Sequence, residues 1–225
     1  MLKKALSRLG YDVRPAEELY LNSLRQFDYE KIFTQTIYFY ERYRTIAGVA
    51  GDIVECGVGY SRTFQVLACL LKRENNPKRT LFGFDSFEGF PEPTGEDNSL
   101  RQPKKGEWKV LTPAQLRHIL LLLRLGEPFV DSRVRIVKGF FDETLPHATL
   151  ERIAFLHLDV DLYKSYKTCL EHLFPRVVTG GVVLFDEYDS PNWPGAKKAI
   201  DEYFKHIPHH FQKDASAGKY FLVKT

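Results

Sequence analysis

Four carboxylates stand at the ends of two apolar runs. Ile153 to Leu158 runs into Asp159 and Asp161, and Val182 to Phe185 runs into Asp186 and Glu187. Brought to one place, these groups repel one another, and some must protonate unless a cation sits among them. A hard divalent ion held by oxygen ligands is the simplest such partner. Asp159 and Asp161 are two residues apart, so an extended chain puts both on one side and turns Val160 away.

A second constellation lies upstream. The run Asp52-Ile53-Val54-Glu55-Cys56 leads into Gly57-Val58-Gly59-Tyr60-Ser61. Glycines at a strand-to-helix turn let the backbone approach a ligand, and Ser61 can cap the helix that follows. A dinucleotide fingerprint needs a third glycine where this chain has Arg62, so that reading fails. What remains, acidic-x-Gly-x-Gly, is the nucleotide loop typical of S-adenosylmethionine-dependent methyltransferases. The next run, Thr80 to Phe84, ends in Asp85, where a parallel sheet holds a ribose diol. Ser86 follows directly and belongs to the same end of the sheet. Gly139, after a third run, permits a close backbone approach on the adenine side, and Asp142 either bonds the base or caps a short helix. The expected cofactor contacts are therefore Glu55, Gly57, Gly59, Ser61, Asp85, Ser86, Gly139 and Asp142.

These residues require a particular scaffold. The acidic runs flank a helix-length amphipathic segment and the glycine pair Gly180-Gly181, read as a tight turn with Thr179. Strand, helix and strand make a parallel crossover unit, with the helix on one face and the strand ends side by side. Nearly continuous apolar runs suit strands buried on both faces. Ahead of them, Asp28 is a candidate N-cap for a helix from Tyr29 to about Ala47, closed by Gly48. Its aromatics Tyr38, Phe39, Tyr40 and Tyr43 exceed what a lone helix can bury, so they pack on the sheet or on a second copy in a homo-oligomer. Residues 86–109 are rich in Pro, Gly and charge, and read as a mobile lid or substrate loop. The pattern then predicts a helix from Pro113 to Leu125 ended by Gly126, a strand Arg133 to Val137, and a helix Ala196 to His206. A terminal hairpin pairs Phe211 to Asp214 with Lys219 to Val223. The organisation is one domain over 1–225: a helical cap over 1–50 and an α/β core over 51–225.

Composition bounds the partners. With 225 residues, a net charge of +3 and 44% hydrophobic residues, the chain is of ordinary globular make-up, and its small net charge gives little support to a nucleic-acid role. No run is long and apolar enough for a bilayer, and the N-terminus lacks a signal peptide's apolar stretch. A cytoplasmic location follows by default. Cys56, Cys69 and Cys169 have no metal-ligand spacing and read as buried free thiols. His157 lies within a strand and reads as a core residue; His209, His210, Lys197 and Lys198 read as surface, and Trp193 as packing or a stacking platform for a sugar.

The motifs at 51–58, 84–91, 138–146, 158–163 and 185–188, in this order, resemble the macrocin O-methyltransferase family, over about Thr36 to Phe204. The resemblance implies a Rossmann-like class I methyltransferase: a mostly parallel seven-stranded sheet with helices on both faces and a C-terminal antiparallel hairpin. It implies methyl transfer from S-adenosylmethionine to a hydroxyl of a sugar or glycosylated small molecule, assisted by Mg2+ or another divalent cation. By the family pattern Asp159, Asp186 and the acidic residue at 187 hold the metal, and Asp161 is the general base. Position 187 departs from it, with Glu187 where the family usually has Asp, and the chain is short at the N-terminus. Two rival classes stand beside this one. The first is a glycosyltransferase using Asp159-Val160-Asp161 as an Asp-x-Asp motif; the second is a non-catalytic nucleotide-binding relative. Glu55, Gly57, Gly59 and Asp85 favour the methyltransferase.

Overall fold

The computed structural model describes residues 29–74, 76 and 78–225; the N-cap expected at Asp28 lies outside them. The first described helix, α1 (Tyr29–Thr45), is followed by β1 (Asp52–Cys56), α2 (Arg62–Glu74) and β2 (Leu81–Asp85). Next come α3 (Pro113–Leu122), α4 (Glu127–Arg133), β3 (Val134–Lys138), α5 (Phe141–Thr144) and β4 (Ile153–Leu158). The chain closes with α6 (Tyr163–Leu173), β5 (Val177–Phe185), α7 (Pro194–Phe204), β6 (Gln212–Lys213) and β7 (Tyr220–Val223). The strands form a seven-stranded sheet in the order β3-β2-β1-β4-β5-β7-β6. The pairs from β3 through β5 are parallel, and β7 runs antiparallel to both β5 and β6.

Hydrophobic pattern explains the layering. All six residues of β4 are buried, as a central parallel strand requires. On one face α6 lays Tyr166, Cys169, Leu170 and Leu173 against the sheet, the spacing of a single helical stripe. On the other, α2 does so with Phe64, Leu67, Ala68 and Leu71. Tyr38, Phe39 and Tyr43 of α1 join that second core, so these aromatics pack on the sheet, while Tyr40 stays exposed.

Three local expectations change. The stretch Thr179-Gly180-Gly181 is not a turn before the strand but part of β5. Ile153 pairs with Val177 and Phe155 with Val182, so β5 carries extra residues here as a bulge. Gly180 supplies a left-handed φ of 82°, and its N–H donates to the Lys224 carbonyl at 2.7 Å. The helix expected to reach Leu125 stops at Leu122; Arg124 turns left-handed at φ 58°, and Gly126 opens α4 instead of closing α3. Glu127-Pro128 suits a helix start, because proline in the first turn loses no intrahelical bond. Lastly, Cys56 and Cys169 are buried but Cys69 is exposed, since it lies off the apolar stripe of α2.

Candidate active site

The carboxyl ends of β1, β2, β4 and β5 open into one cavity of about 270 Å³, at the sheet edge where parallel α/β folds place ligands. Phe39 of α1 also lines it, its ring edge-on to the His157 ring of β4. All eight expected cofactor residues line it, as do Asp159, Asp161 and Asp186; Glu187 is not in its wall.

Much of the nucleotide wall is held by the chain itself. Gly57 has a left-handed φ of 83°, and a Cβ there would stand 1.8 Å from the Asp159 carbonyl oxygen. Its absence of a side chain therefore serves the close approach of the β1 and β4 ends. Gly59 differs: nothing lies within 4 Å of the corresponding point. Asp85 accepts three backbone hydrogen bonds, from Val58 N (2.8 Å) and Gly59 N (3.0 Å) at Oδ2 and from Phe87 N (2.6 Å) at Oδ1. It thus stiffens the glycine loop from across the strand gap. Ser61, fully buried at φ 63°, accepts at Oγ from the Gln65 side chain (3.0 Å), while its backbone carbonyl takes the Gln65 N–H (2.9 Å). Its hydroxyl therefore caps through a side chain and not through a backbone amide. Ser86 Oγ donates to the Gly89 carbonyl (2.8 Å) and accepts from Glu88 N (3.0 Å). Gly139 donates to the Asp85 carbonyl (3.0 Å), and a Cβ on it would meet Thr144 at 2.7 Å. Asp142 sits in the first turn of α5 and pairs with Lys164 at 3.3 Å.

Glu55 is the exception. It is 1% exposed. Its Oε1 lies 3.2 Å from His157 Nδ1, but Oε2 is buried without a partner. Burial pushes its carboxyl up to about 7, with His157 opposing. A buried acceptor left open toward a cavity calls for a donor from a ligand.

The acidic wall is built by a turn, not by strand alternation. β4 stops at Leu158, Leu162 N donates to the Val160 carbonyl at 2.5 Å, and Asp161 is left-handed at φ 58°. Asp161 thereby comes back over the sheet edge toward β5, and its N–H donates to Glu187 Oε2 (3.3 Å). Among the described residues, two acidic clusters share Asp159. One joins it to Asp161 and Glu187, the other to His157 and Asp186, with the candidate ligand atoms of each cluster within 4.8 Å. The expected trio of Asp159, Asp186 and Glu187 is thus split between them. The first cluster fits a hard divalent ion by its oxygen donors and its unrelieved charge. Burial and then the neighbouring carboxylates raise Asp161 and Glu187 well above the ordinary range, and burial and then Asp186 lift Asp159 to about 6. Tyr166 also binds Glu187, with Oη 2.6 Å from Oε2.

Asp186 is the counter-example. Despite burial, His157 and Lys219 hold its carboxyl below the ordinary range. Lys219 Nζ donates to Asp186 Oδ2 at 2.5 Å and to the Asp186 carbonyl at 2.9 Å, and His157 Nε2 lies 3.9 Å from Oδ1. Burial acts to lower the imidazole, but Asp186 and Glu55 keep it at about 10. His157 is therefore a charged link between the two walls, which its place in an apolar strand disguised. The sign of it was the matched polar step in two apolar runs: Glu55 and His157 are register partners on adjacent strands. Lys219 had no local sign, since the terminal hairpin delivers it.

The segment 86–109 is tied down. Tyr163 N donates to Asp97 Oδ1 (2.7 Å), and Ser99 Oγ to the Asn192 carbonyl (2.9 Å). The Arg101 guanidinium sits 5.8, 5.1 and 4.7 Å from the rings of Phe90, Trp108 and Trp193 and pairs with Glu107 at 2.7 Å. Trp193 is thus packed, while Trp108 is half exposed at the cavity.

The sequence profile described as Macrocin-O-methyltransferase (TylF) matches residues 41–217. The chain belongs to this family. Among curated relatives it is 34% identical over 143 residues to an 8-demethyl-8-(2,3-dimethoxy-alpha-L-rhamnosyl)-tetracenomycin-C 4'-O-methyltransferase of Streptomyces olivaceus, covering 63% of this chain and 54% of that protein. It is 32% identical over 163 residues to the mycinamicin III 3''-O-methyltransferase of Micromonospora griseorubida, covering 69% and 61%. The matches thus span a little over half the length of these relatives. Among solved structures it resembles the calicheamicin methyltransferase CalS11, with a TM-score of 0.77 and 29% identity over 98% of this chain and 90% of that one. Membership in the macrocin O-methyltransferase family agrees with the class I methyltransferase sheet. Among the described residues no helix is long and apolar enough to cross a membrane.

Proposed function

We propose that this chain is an S-adenosylmethionine-dependent O-methyltransferase that methylates a hydroxyl of a sugar or glycosylated small molecule with help from a divalent cation, Mg2+ being the simplest candidate. The observation that carries the reading is one cavity with a nucleotide loop and an open buried acceptor on one wall, and clustered carboxylates on the other. One relative is named for a rhamnosyl-bearing substrate, methylated at the 4'-position, and another for the 3''-O-methylation of mycinamicin III, which supports the acceptor class.

When bound, S-adenosylmethionine supplies a methyl group on a sulfonium. In this reading the free Glu55 oxygen takes the cofactor's ammonium, the loop from Gly57 to Gly59 seats the nucleoside, and Asp85 accepts from the ribose on lone pairs its backbone bonds leave free. Asp159 and Glu187 would hold the cation, with Asp186 able to join only in competition with Lys219, and the cation would orient the acceptor's hydroxyls and lower the pKa of the reacting one. Asp161, beside them, would take the proton of the acceptor hydroxyl as its oxygen accepts the methyl group. Alignment of the acceptor oxygen with the methyl group supplies the rest of the acceleration.

Calorimetric titration with S-adenosylhomocysteine, with and without excess EDTA, tests the cofactor half. The expected result is binding in both conditions, because the nucleotide contacts are separate from the carboxylate cluster. Binding of UDP-sugars with no binding of S-adenosylhomocysteine would favour the glycosyltransferase reading. A mass-spectrometric screen for +14 Da products with candidate glycosides then tests the acceptor class.

A further inference from the structure

We propose that Lys219 is a built-in counter-cation of the acidic sheet edge, a positioning residue that holds Asp186 and restrains how tightly the neighbouring carboxylates take a divalent ion. The second half of this rests on the cation reading above; the first does not.

The geometry is specific. Two of the three protons an ammonium can donate are used on Asp186, one on the side-chain Oδ2 (2.5 Å) and one on its own backbone carbonyl (2.9 Å). A single lysine thus grips both ends of one residue and fixes the direction of its carboxylate. Lys219 itself is anchored: its carbonyl accepts from Asp214 N at 2.8 Å, and the next residue, Tyr220, starts β7 beside β5, opposite Phe185. The hairpin that completes the sheet therefore also brings a positive charge to the end of β5. That charge matters, because Glu55, Asp159, Asp161, Asp186 and Glu187 meet there, with the His157 ring between Glu55 and Asp186 and the Arg101 guanidinium acting on Asp161 from farther away. It also has a consequence for metal. A divalent ion among Asp159, Asp161 and Glu187 lies close to the Lys219 ammonium and is repelled by it, and any ion that recruits Asp186 must compete with Lys219 for the same oxygen.

The test compares Lys219→Met, Lys219→Arg and the double variant Lys219→Met/Asp186→Asn with the parent chain. Thermal unfolding in EDTA reads the counter-ion role, and titration with Mn2+ reads the ion's affinity. Lys219→Met is expected to unfold several degrees lower in EDTA. The double variant should recover much of that loss, since it removes both charges of the pair, and Lys219→Arg should stay near the parent. Lys219→Met should bind Mn2+ about tenfold more tightly than the parent, the size of one like charge removed a few ångströms from a divalent ion in a water-like dielectric. Equal midpoints in EDTA for Lys219→Met and the parent would overturn the proposal. Weaker Mn2+ binding by Lys219→Met would overturn its second half, because Lys219 would then serve the ion and not oppose it. A parent chain that takes up no Mn2+ while Lys219→Met still loses stability in EDTA removes the cation reading and supports the counter-ion role. If Lys219→Met does not fold but the double variant does, that outcome also supports the pair.

Discussion

The two walls of the cavity solve opposite problems. Along β1, β2 and β3 most residues that look like ligand contacts, Glu55 Oε2 excepted, are already bonded to the chain: Asp85 to three amides, Ser86 to its own turn, Gly139 to the Asp85 carbonyl. At the ends of β4 and β5, Asp159, Asp161 and Glu187 are crowded together, and their proton affinities are driven up by burial and by neighbouring carboxylates. A prebuilt wall can accept a neutral or cationic ligand with little rearrangement. A wall of unrelieved charge stores a demand for a cation or a proton, which is what a base beside a metal requires. His157 joins the two by touching Glu55 on one side and Asp186 on the other.

The largest effect that would test this contrast is on turnover. Asp161→Asn should lower methyl transfer by about 10²–10⁴-fold, because an amide cannot take the proton, while S-adenosylhomocysteine affinity stays within about twofold. Loss of cofactor affinity instead would mean the walls are not separable. Next in size is a pair of glycine substitutions. Gly57→Ala should cost about 2–4 kcal/mol in urea unfolding, since it adds backbone strain to a clash with the Asp159 carbonyl. Gly59→Ala meets open space and should cost about 1–2 kcal/mol from its left-handed backbone alone. Equal costs would remove the claim that Gly57 serves the junction of the walls. Asp85→Ala should weaken S-adenosylhomocysteine by about 1–3 kcal/mol, and it should also lower the thermal midpoint, because Val58, Gly59 and Phe87 lose their acceptor. A lower midpoint with unchanged affinity would confine Asp85 to structure.

The last effect is in pH dependence. His157 is held at about 10 in the folded chain against an ordinary value near 6.5. Its contribution is therefore complete below about pH 6.5 and is lost as pH rises toward 10. Stability measured in EDTA should fall over that window by at most about 1.4 kcal/mol per pH unit for one proton, and His157→Asn should flatten the decline. An unchanged slope would show that the link between the walls carries no proton.

Much of this molecule was legible locally. The apolar runs at 53–56, 81–84 and 153–158 announced buried parallel strands, and the acidic-x-Gly-x-Gly loop and the residues at 85, 159, 161 and 186 announced the cavity they line. Where the reading slipped, a long-range contact had overruled a local pattern. Thr179-Gly180-Gly181 looks like a turn, yet Lys224 pairs with it and makes it a bulge in β5. The loop over 86–109 looks free, yet Asp97, Ser99 and Arg101 fasten it to α6 and to the loop before α7. The even spacing of Asp159 and Asp161 pointed to one strand face, but the strand ends first and a left-handed turn places Asp161.

By itself, then, the sequence determined the order of the central strands and of the helices around them apart from α4, the family, and which carboxylates reach the sheet edge. Each of these follows from hydrophobic period or short motif, and so is written in neighbouring residues. Only the tertiary structure decided how those carboxylates are partitioned, with Asp186 given to Lys219 and His157, and Asp159, Asp161 and Glu187 left to one another. The reason is electrostatic and geometric: a carboxylate's partner is whatever cation lies within a few ångströms, and Lys219, 33 residues from Asp186 in the chain, comes within reach only once the terminal hairpin has paired with β5.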